Sequence, residues 1–324
     1  MKVVSTLLTG GLVVGGLVAV TVPSQAALTT RCVGTAGAVT VPGDLVVPAD
    51  RSCSLEGTII QGNVRVQTGA DLLITSGTIE GNLVAQEDAY IDAEGTTVGG
   101  NVVSRGSWGV FMTEGAVAGN YNSPVNAPRG GFLLGDRTAF DGNVVDRAGT
   151  TMLVSSTVAG NVTGNGNVAS DLEDSVIEGN LTIRDTEEGS LLCDSEVYGN
   201  ADYRNNADAI QIGGAVPWGT CGGSAYFDGN VSINNTTGGV FINGAIIRGD
   251  LSGTRNAPAP ISSDNRVRGE VSGQFADDAA AALSRSRVSA TPAGEDRVSG
   301  AREAAETRSK AAQAEAVEAG AARL

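Results

Sequence analysis

The residues able to do chemistry are few, and most are acidic. Asp141, Glu178 and Asp228 recur at one phase of the chain, with Asp202 nearby. Two such carboxylates about 5–9.5 Å apart are what glycoside hydrolysis requires. A polysaccharide lyase would need calcium held by acids and a basic side chain. Lys occurs only at Lys2 and Lys310, so Arg204 or Arg248 would have to be that base. Trp218 lies in the same stretch as Arg204 and Asp208. Its indole could stack on a sugar ring, or pack over the edge of the fold and a neighbouring disulfide. Trp218, Asp208, Arg204 and Asp228 are therefore the candidate ligand-binding residues.

Other chemistries are excluded by composition. The chain has no His, which removes Ser-His and Cys-His nucleophiles and His-ligated zinc. Its glycine-rich stretches lack any phosphate-loop or dinucleotide fingerprint, and no calcium-binding nonapeptide run occurs, so neither a metal site nor a cofactor is expected. A formal net charge of −15 argues against nucleic acid and against an anionic membrane surface.

What must position these residues is a repeat. Gly-Asn pairs fall at Asn63, Asn82, Asn101, Asn120, Asn143, Asn161, Asn180, Asn200 and Asn230, usually 18 to 20 residues apart. Gly43-Asp44, Gly249-Asp250 and Gly269-Glu270 keep the phase at both ends. Three residues before each mark stands a β-branched residue or Phe, from Val41 and Ile60 to Ile247 and Val267. One residue after comes an apolar one, as at Val64, Leu83 and Val102. The slot between column and glycine varies freely. This predicts an inward residue, an outward one, a turn, and a strand starting inward. Gly takes a backbone conformation that a Cβ would penalise, and Asn suits the bend. Stacked coils set each Asn about 4.8 Å over its counterpart, and the resulting ladder satisfies amides that would cost about 1–3 kcal/mol if buried unpaired.

The fold class is thus all-β, a single-stranded right-handed parallel β-helix (β-solenoid) of about twelve coils. Right-handedness follows from coils longer than eighteen residues with no six-residue period. Val, Ile, Gly, Asn and Thr dominate, while aromatics make up only 4%, in keeping with strands and tight turns.

Residues 1–26 read as a secretory leader: Lys2, an apolar run, and a small-x-small site ending at Ala26. The β-helix is assigned to 27–274, and an Ala/Glu/Arg-rich tail, helical or disordered, to 275–324. The tail is expected to be solvated, with capping, wall contact or association through it as alternatives. Cys32 and Cys53 lie one coil apart, and Cys193 and Cys221 span one enlarged coil. Neighbouring coils bring such pairs within disulfide reach, so Cys32–Cys53 and Cys193–Cys221 are the predicted bridges. The long intervals Asn120 to Asn143 and Asn200 to Asn230 predict loops; the first carries Arg129, Asp136 and Arg137.

The Val-x-Gly-Asn-Val repeat, opened by Val47-Pro48 and the stretch Cys53 to Gly57, closes on Asn256 to Pro260 and Asn265 to Glu270. Over residues 32–274 it resembles secreted actinobacterial right-handed parallel β-helix repeat proteins of unknown function. That resemblance implies the fold and export. It carries no catalytic residue across, and the tail departs from it. The reading that results is a secreted or cell-surface solenoid with a structural, adhesion or carbohydrate-binding role. Its partner would be a polysaccharide or cell-envelope component, with no membrane span once the leader is removed. The rival reading is a polysaccharide lyase or glycoside hydrolase. A cluster of three acids with an Arg in one groove would favour the enzyme; scattered charges would favour the scaffold.

Overall fold

The computed structural model describes residues 29–124, 130–214, 218–276 and 294–324, with side chains of the last segment from Arg297 onward. The leader, its cleavage site and Arg129 lie outside the described residues.

Each coil writes three short strands. In the third coil these are Val64–Val66, Asp71–Thr75 and Thr78–Ile79. Alternation puts Val64, Val66, Leu72, Ile74 and Ile79 fully inside, and their neighbours outside. Every strand pairs in parallel with its equivalent one coil on, as in Val64 with Leu83, Leu72 with Ile91, and Ile79 with Val98. The result is three parallel sheets of 13, 12 and 12 strands, called first, second and third in the order the chain visits them. They make twelve full coils and the opening strand of a thirteenth. Like residues stack on like, so the core is a set of aliphatic columns.

The three corners differ. The corner into the second sheet and the corner into the third both use left-handed backbone, at Asp50, Asp88, Asp185 and Asn205 in one and at Ser76, Glu114, Ser155 and Asp174 in the other. The Gly-Asn corner does not. Gly62, Gly81, Gly100 and Gly119 are not in that region, which corrects the expected reason for glycine there. A Cβ on Gly81, Gly100 or Gly119 would sit 2.5–2.7 Å from the glycine carbonyl oxygen one coil below. Close backbone stacking, not φ, demands glycine.

At each rung from Asn82 to Asn200 the backbone N and Nδ2 of one Asn both donate to Oδ1 of the Asn below, and at Asn230 the backbone N does so. Asn82 reaches Asn63 at 3.0 and 2.9 Å, and Asn180 reaches Asn161 at 2.8 and 3.0 Å. Asp44 starts the row and Asp250 continues it. The ladder lies half-exposed to exposed along the corner, not inside it. The buried polar rows are others. Thr96, Thr138, Ser156, Ser175 and Ser195 line the inside of the corner into the third sheet, each bonded to a backbone carbonyl. Asn206 and Asn256 do the same at the corner into the second sheet.

Both bridges form, Cys32–Cys53 with Cα atoms 5.6 Å apart and Cys193–Cys221 at 5.1 Å.

The described helical part of the tail is docked on the coils, where a solvated tail was expected. Its helix, Gly294–Ala319, lies along the second sheet from the eighth coil to the first. That sheet turns an apolar row outward, including Phe111, Leu134 and Met152, and the helix packs Val298 and Ala301 against it. Val298, Ala305 and Ala312 are buried at seven-residue spacing, with Ala301, Arg308 and Glu315 between them. Seven helical residues rise about 10.5 Å and two coils about 9.6 Å, so the seam keeps step with the stack. Arg297 grips the fully buried Asp171 carboxylate through Nε and NH2, both at 2.7 Å. Arg302 reaches Asp136 at 2.9 Å, and Arg308 reaches Asp71 at 2.9 Å. Arg308 also lies 4.8 Å from the Trp108 ring centroid and 5.6 Å from that of Tyr90. Burial raises the carboxyls of Asp71 and Asp92 above the usual aspartate range, though Arg308 pulls the first back and Ser309 the second. Past the helix, Gly320 accepts from Thr35 N at 2.9 Å and Ala322 N donates back to Thr35 at 2.8 Å. The chain end thereby closes the lower edge of the second sheet, a place where unpaired groups invite aggregation.

Candidate functional site

The third sheet is built of two-residue strands, so one inward residue per coil leaves outward neighbours on both sides. Around the buried Val197 these are Glu196 and Tyr198; around the buried Phe227 they are Tyr226 and Asp228. Parallel pairing sets Glu196 beside Tyr226 and Val197 beside Phe227. The next coil contributes Arg248, and the preceding one Glu178. The register alone therefore assembles two tyrosines, three carboxylates and a guanidinium on one exposed face.

The polar groups restrain each other. Tyr198 donates its hydroxyl to Glu196 Oε2 at 2.8 Å, and Tyr226 donates to Asp228 Oδ1 at 3.0 Å. Arg248 NH1 reaches the same Asp228 oxygen at 2.7 Å. The tyrosine rings meet edge to face, centroids 5.9 Å apart and planes at 61°. Tyr198 keeps 49% of its surface in solvent. The hydrogen bond to Glu196, and its charge, hold the Tyr198 phenol above its ordinary value. Tyr226 and Asp228 hold the Arg248 guanidinium charged. Tyr198 is thus a neutral donor and Arg248 a fixed cation.

Three acids and an Arg do come together here, but on an exposed sheet face and not in the groove that would favour an enzyme, and the arrangement suits recognition more than proton transfer. An aromatic face ringed by fixed polar groups matches the mixed apolar and hydroxylated faces of a pyranose. A general acid, by contrast, needs a carboxyl free to face its substrate, and Asp228 is already engaged by Tyr226 and Arg248, Glu196 by Tyr198. Among the described residues, no group of three or more His, Cys, Asp or Glu is placed to hold a metal ion.

The four candidate residues are spread over separate faces. Asp228 belongs to the patch, with Glu178 two coils below it. Arg204 leaves the far end of the first sheet, where it and Arg184 both bond Asp202. Asp208 accepts from Ala209 N at 2.7 Å. Trp218 is only 3% exposed, packed on Leu191, Cys193, Ala209 and Phe241, with the Arg297 guanidinium 5.6 Å from its ring. Of the two readings of this indole, packing over the fold edge and the disulfide is the one seen, and the ring offers no exposed sugar platform. The outward Leu191 and Phe241 of the second sheet need a cover, and the disulfide-pinned loop supplies Trp218 as that cover. Asp141 stands two coils below Glu178 in the same outward column, with Ala159 between them.

Tyr198, Tyr226 and Glu196 were not singled out from the sequence. Their signal was available: the slots flanking the β-branched column hold Tyr in two successive coils. No protein-family model, curated protein or solved structure matches the chain.

Proposed function

We propose that the protein is an exported, non-catalytic β-solenoid that binds carbohydrate through the Tyr198–Tyr226 patch of its third sheet. The observation that carries this is the pair of neighbouring rings whose hydroxyls are each tied to a carboxylate, with one ring half in solvent. Such rings give contact area at little entropic cost, because their polar tips are already fixed. Export is supported by the leader-like residues 1–26 and by two disulfides, which persist in oxidising compartments. Among the described residues no helix is long and apolar enough to cross a membrane. A role at the cell surface fits a rod whose first eight coils are strapped by a docked helix.

The test is a glycan array with the mature chain, run beside reducing-sugar and unsaturated-product assays. Binding without turnover is expected. Tyr198→Ala should weaken the binding of array-positive uncharged glycans about tenfold, the loss of one stacked ring, and leave the melting temperature unchanged. Turnover of any polysaccharide, or binding of every uncharged array-positive glycan indifferent to both Tyr198→Ala and Tyr226→Ala, would refute the proposal.

A further inference from the structure

The first sheet carries a different pattern. Its outward surface presents an arginine in every second coil: Arg31, Arg65, Arg105, Arg147 and Arg184, in coils one, three, five, seven and nine. The register makes this explicit. Arg31 aligns with Val46, and Val46 with Arg65. Val102, Tyr121 and Val144 align in turn, and Arg105 and Arg147 each stand three residues beyond their member of that column. Arg31 and Arg65 share one outward column, and Arg105, Arg147 and Arg184 share the outward column two residues further along the strand. Successive arginines are two strand spacings apart along the stack, about 9.6 Å, with one sideways step of about 6.6 Å between Arg65 and Arg105.

Arg65, Arg105 and Arg147 line a groove. A cavity of about 530 Å³ runs from Thr29 and Asp44 to Arg105, and a second of about 460 Å³ continues from Asn101 to Arg147, with Val103 shared. The floor column reads Val46, Arg65, Val84, Val103, Asn122 and Val145, so Arg65 rises from the floor while Arg105 and Arg147 stand beside it. One wall is the Asn ladder, where each amide nitrogen has two hydrogens and spends one on the rung below. Among the described residues, Arg31, Arg65 and Arg105 bond no carboxylate. Arg147 reaches only Asn122 Oδ1, at 3.3 Å. Arg184 is bound to Asp202, which ends the row. In a chain of net charge −15, cations left without partners in a groove are unusual.

We propose that this groove binds a linear acidic polysaccharide bearing one carboxylate per disaccharide, with its axis along the stack. The valine floor takes the apolar faces of sugar rings. The guanidinium forks take carboxylates in two-point contacts. Two coil rises have about the length of a disaccharide, so a carboxylate on alternate sugars keeps step with the arginines, and the long guanidinium stems span the sideways step between Arg65 and Arg105. A polyphosphate would satisfy the arginines and leave the valines uncovered. A polymer charged on every residue would set half its charges against a strongly anionic protein. The proposal is independent of the third-sheet patch, which lies in coils eight to eleven.

Hyaluronate, with a uronate on alternate sugars, is the probe, and titration calorimetry of the full mature chain is the measurement. Binding that weakens as salt rises is expected. Arg65→Ala and Arg105→Ala should each weaken it about tenfold, the loss of one charge-assisted contact. Both residues are exposed, so thermal melts should be unchanged. Arg65→Ala and Arg105→Ala should bind the uncharged array-positive glycans as the parent does, which separates this site from the patch. No binding of hyaluronate, binding untouched in the double arginine variant, or inorganic polyphosphate bound as tightly, would each overturn the proposal.

Discussion

At the scale of single residues, the Gly-Asn corner combines two separate demands. Glycine is required because the carbonyl one coil below occupies the space of a side chain. Asn is required because one oxygen must accept two hydrogen bonds from the coil above. The two should respond differently to mutation. Gly119→Ala forces the stacked backbones apart and should cost about 1–3 kcal/mol, as overpacking does. Asn161→Leu removes the acceptor for Asn180 at a rung that water can reach, and should cost about 1 kcal/mol. Glu178→Ala, on the solvated face, should leave stability unchanged. Denaturant unfolding of the three variants checks this order; a Glu178 variant weaker than the other two would break it. The corner was legible in the sequence because its demands repeat at every coil. The conformation of its glycine was not, since a sequence shows that Cβ is forbidden without showing whether φ or a neighbouring strand forbids it. Tyr198 and Tyr226 escaped notice for a related reason: outward slots are where the repeat imposes nothing.

At the scale of elements, the C-terminal helix is the part that sequence reading placed wrongly. Its composition suggests a marginal helix in water, and the surface that stabilises it is made of residues from many separate coils. Phe111, Leu134 and Met152 are each a coil or more apart in sequence, so their common outward row appears only once the coils are stacked. Arg297 is the anchor at the upper end. Replacing it by Ala would leave the Asp171 carboxylate buried, with the Leu191 amide still donating to it and no cation beside it, a loss of about 3–5 kcal/mol for a broken buried pair. We expect Arg297→Ala to expose residues 297–319 to hydrogen exchange and proteolysis while the coils stay protected, and Asp171→Asn to restore part of the docking. Helix protection unchanged in Arg297→Ala would show that the apolar seam suffices alone.

At the scale of the whole molecule, a stack in which each coil touches its neighbours is vulnerable at its ends. The first coil is secured twice, by Cys32–Cys53 within the stack and by residues 320–322 beneath it. Removing the disulfide with Cys32→Ser and Cys53→Ser should lower stability by about 3 kcal/mol, the loop-closure value for a link of this span. Exchange should rise first in residues 29–60. A uniform rise over all twelve coils would mean that the rod melts as one unit. The number of coils and both disulfides could be read from spacing alone, because a solenoid turns distance in sequence into distance along an axis.

The docked helix also acts as a gauge of length. Its contacts at Asp171, Asp136, Asp71 and Thr35 fix the span between the eighth coil and the first. A coil gained or lost inside that span shifts one end by about 4.8 Å, and one helical turn supplies about 5.4 Å. Insertions there must therefore come as matched pairs, a coil with a turn, whereas coils added above the eighth meet no such tally. Growth of this rod is free at one end and metered at the other.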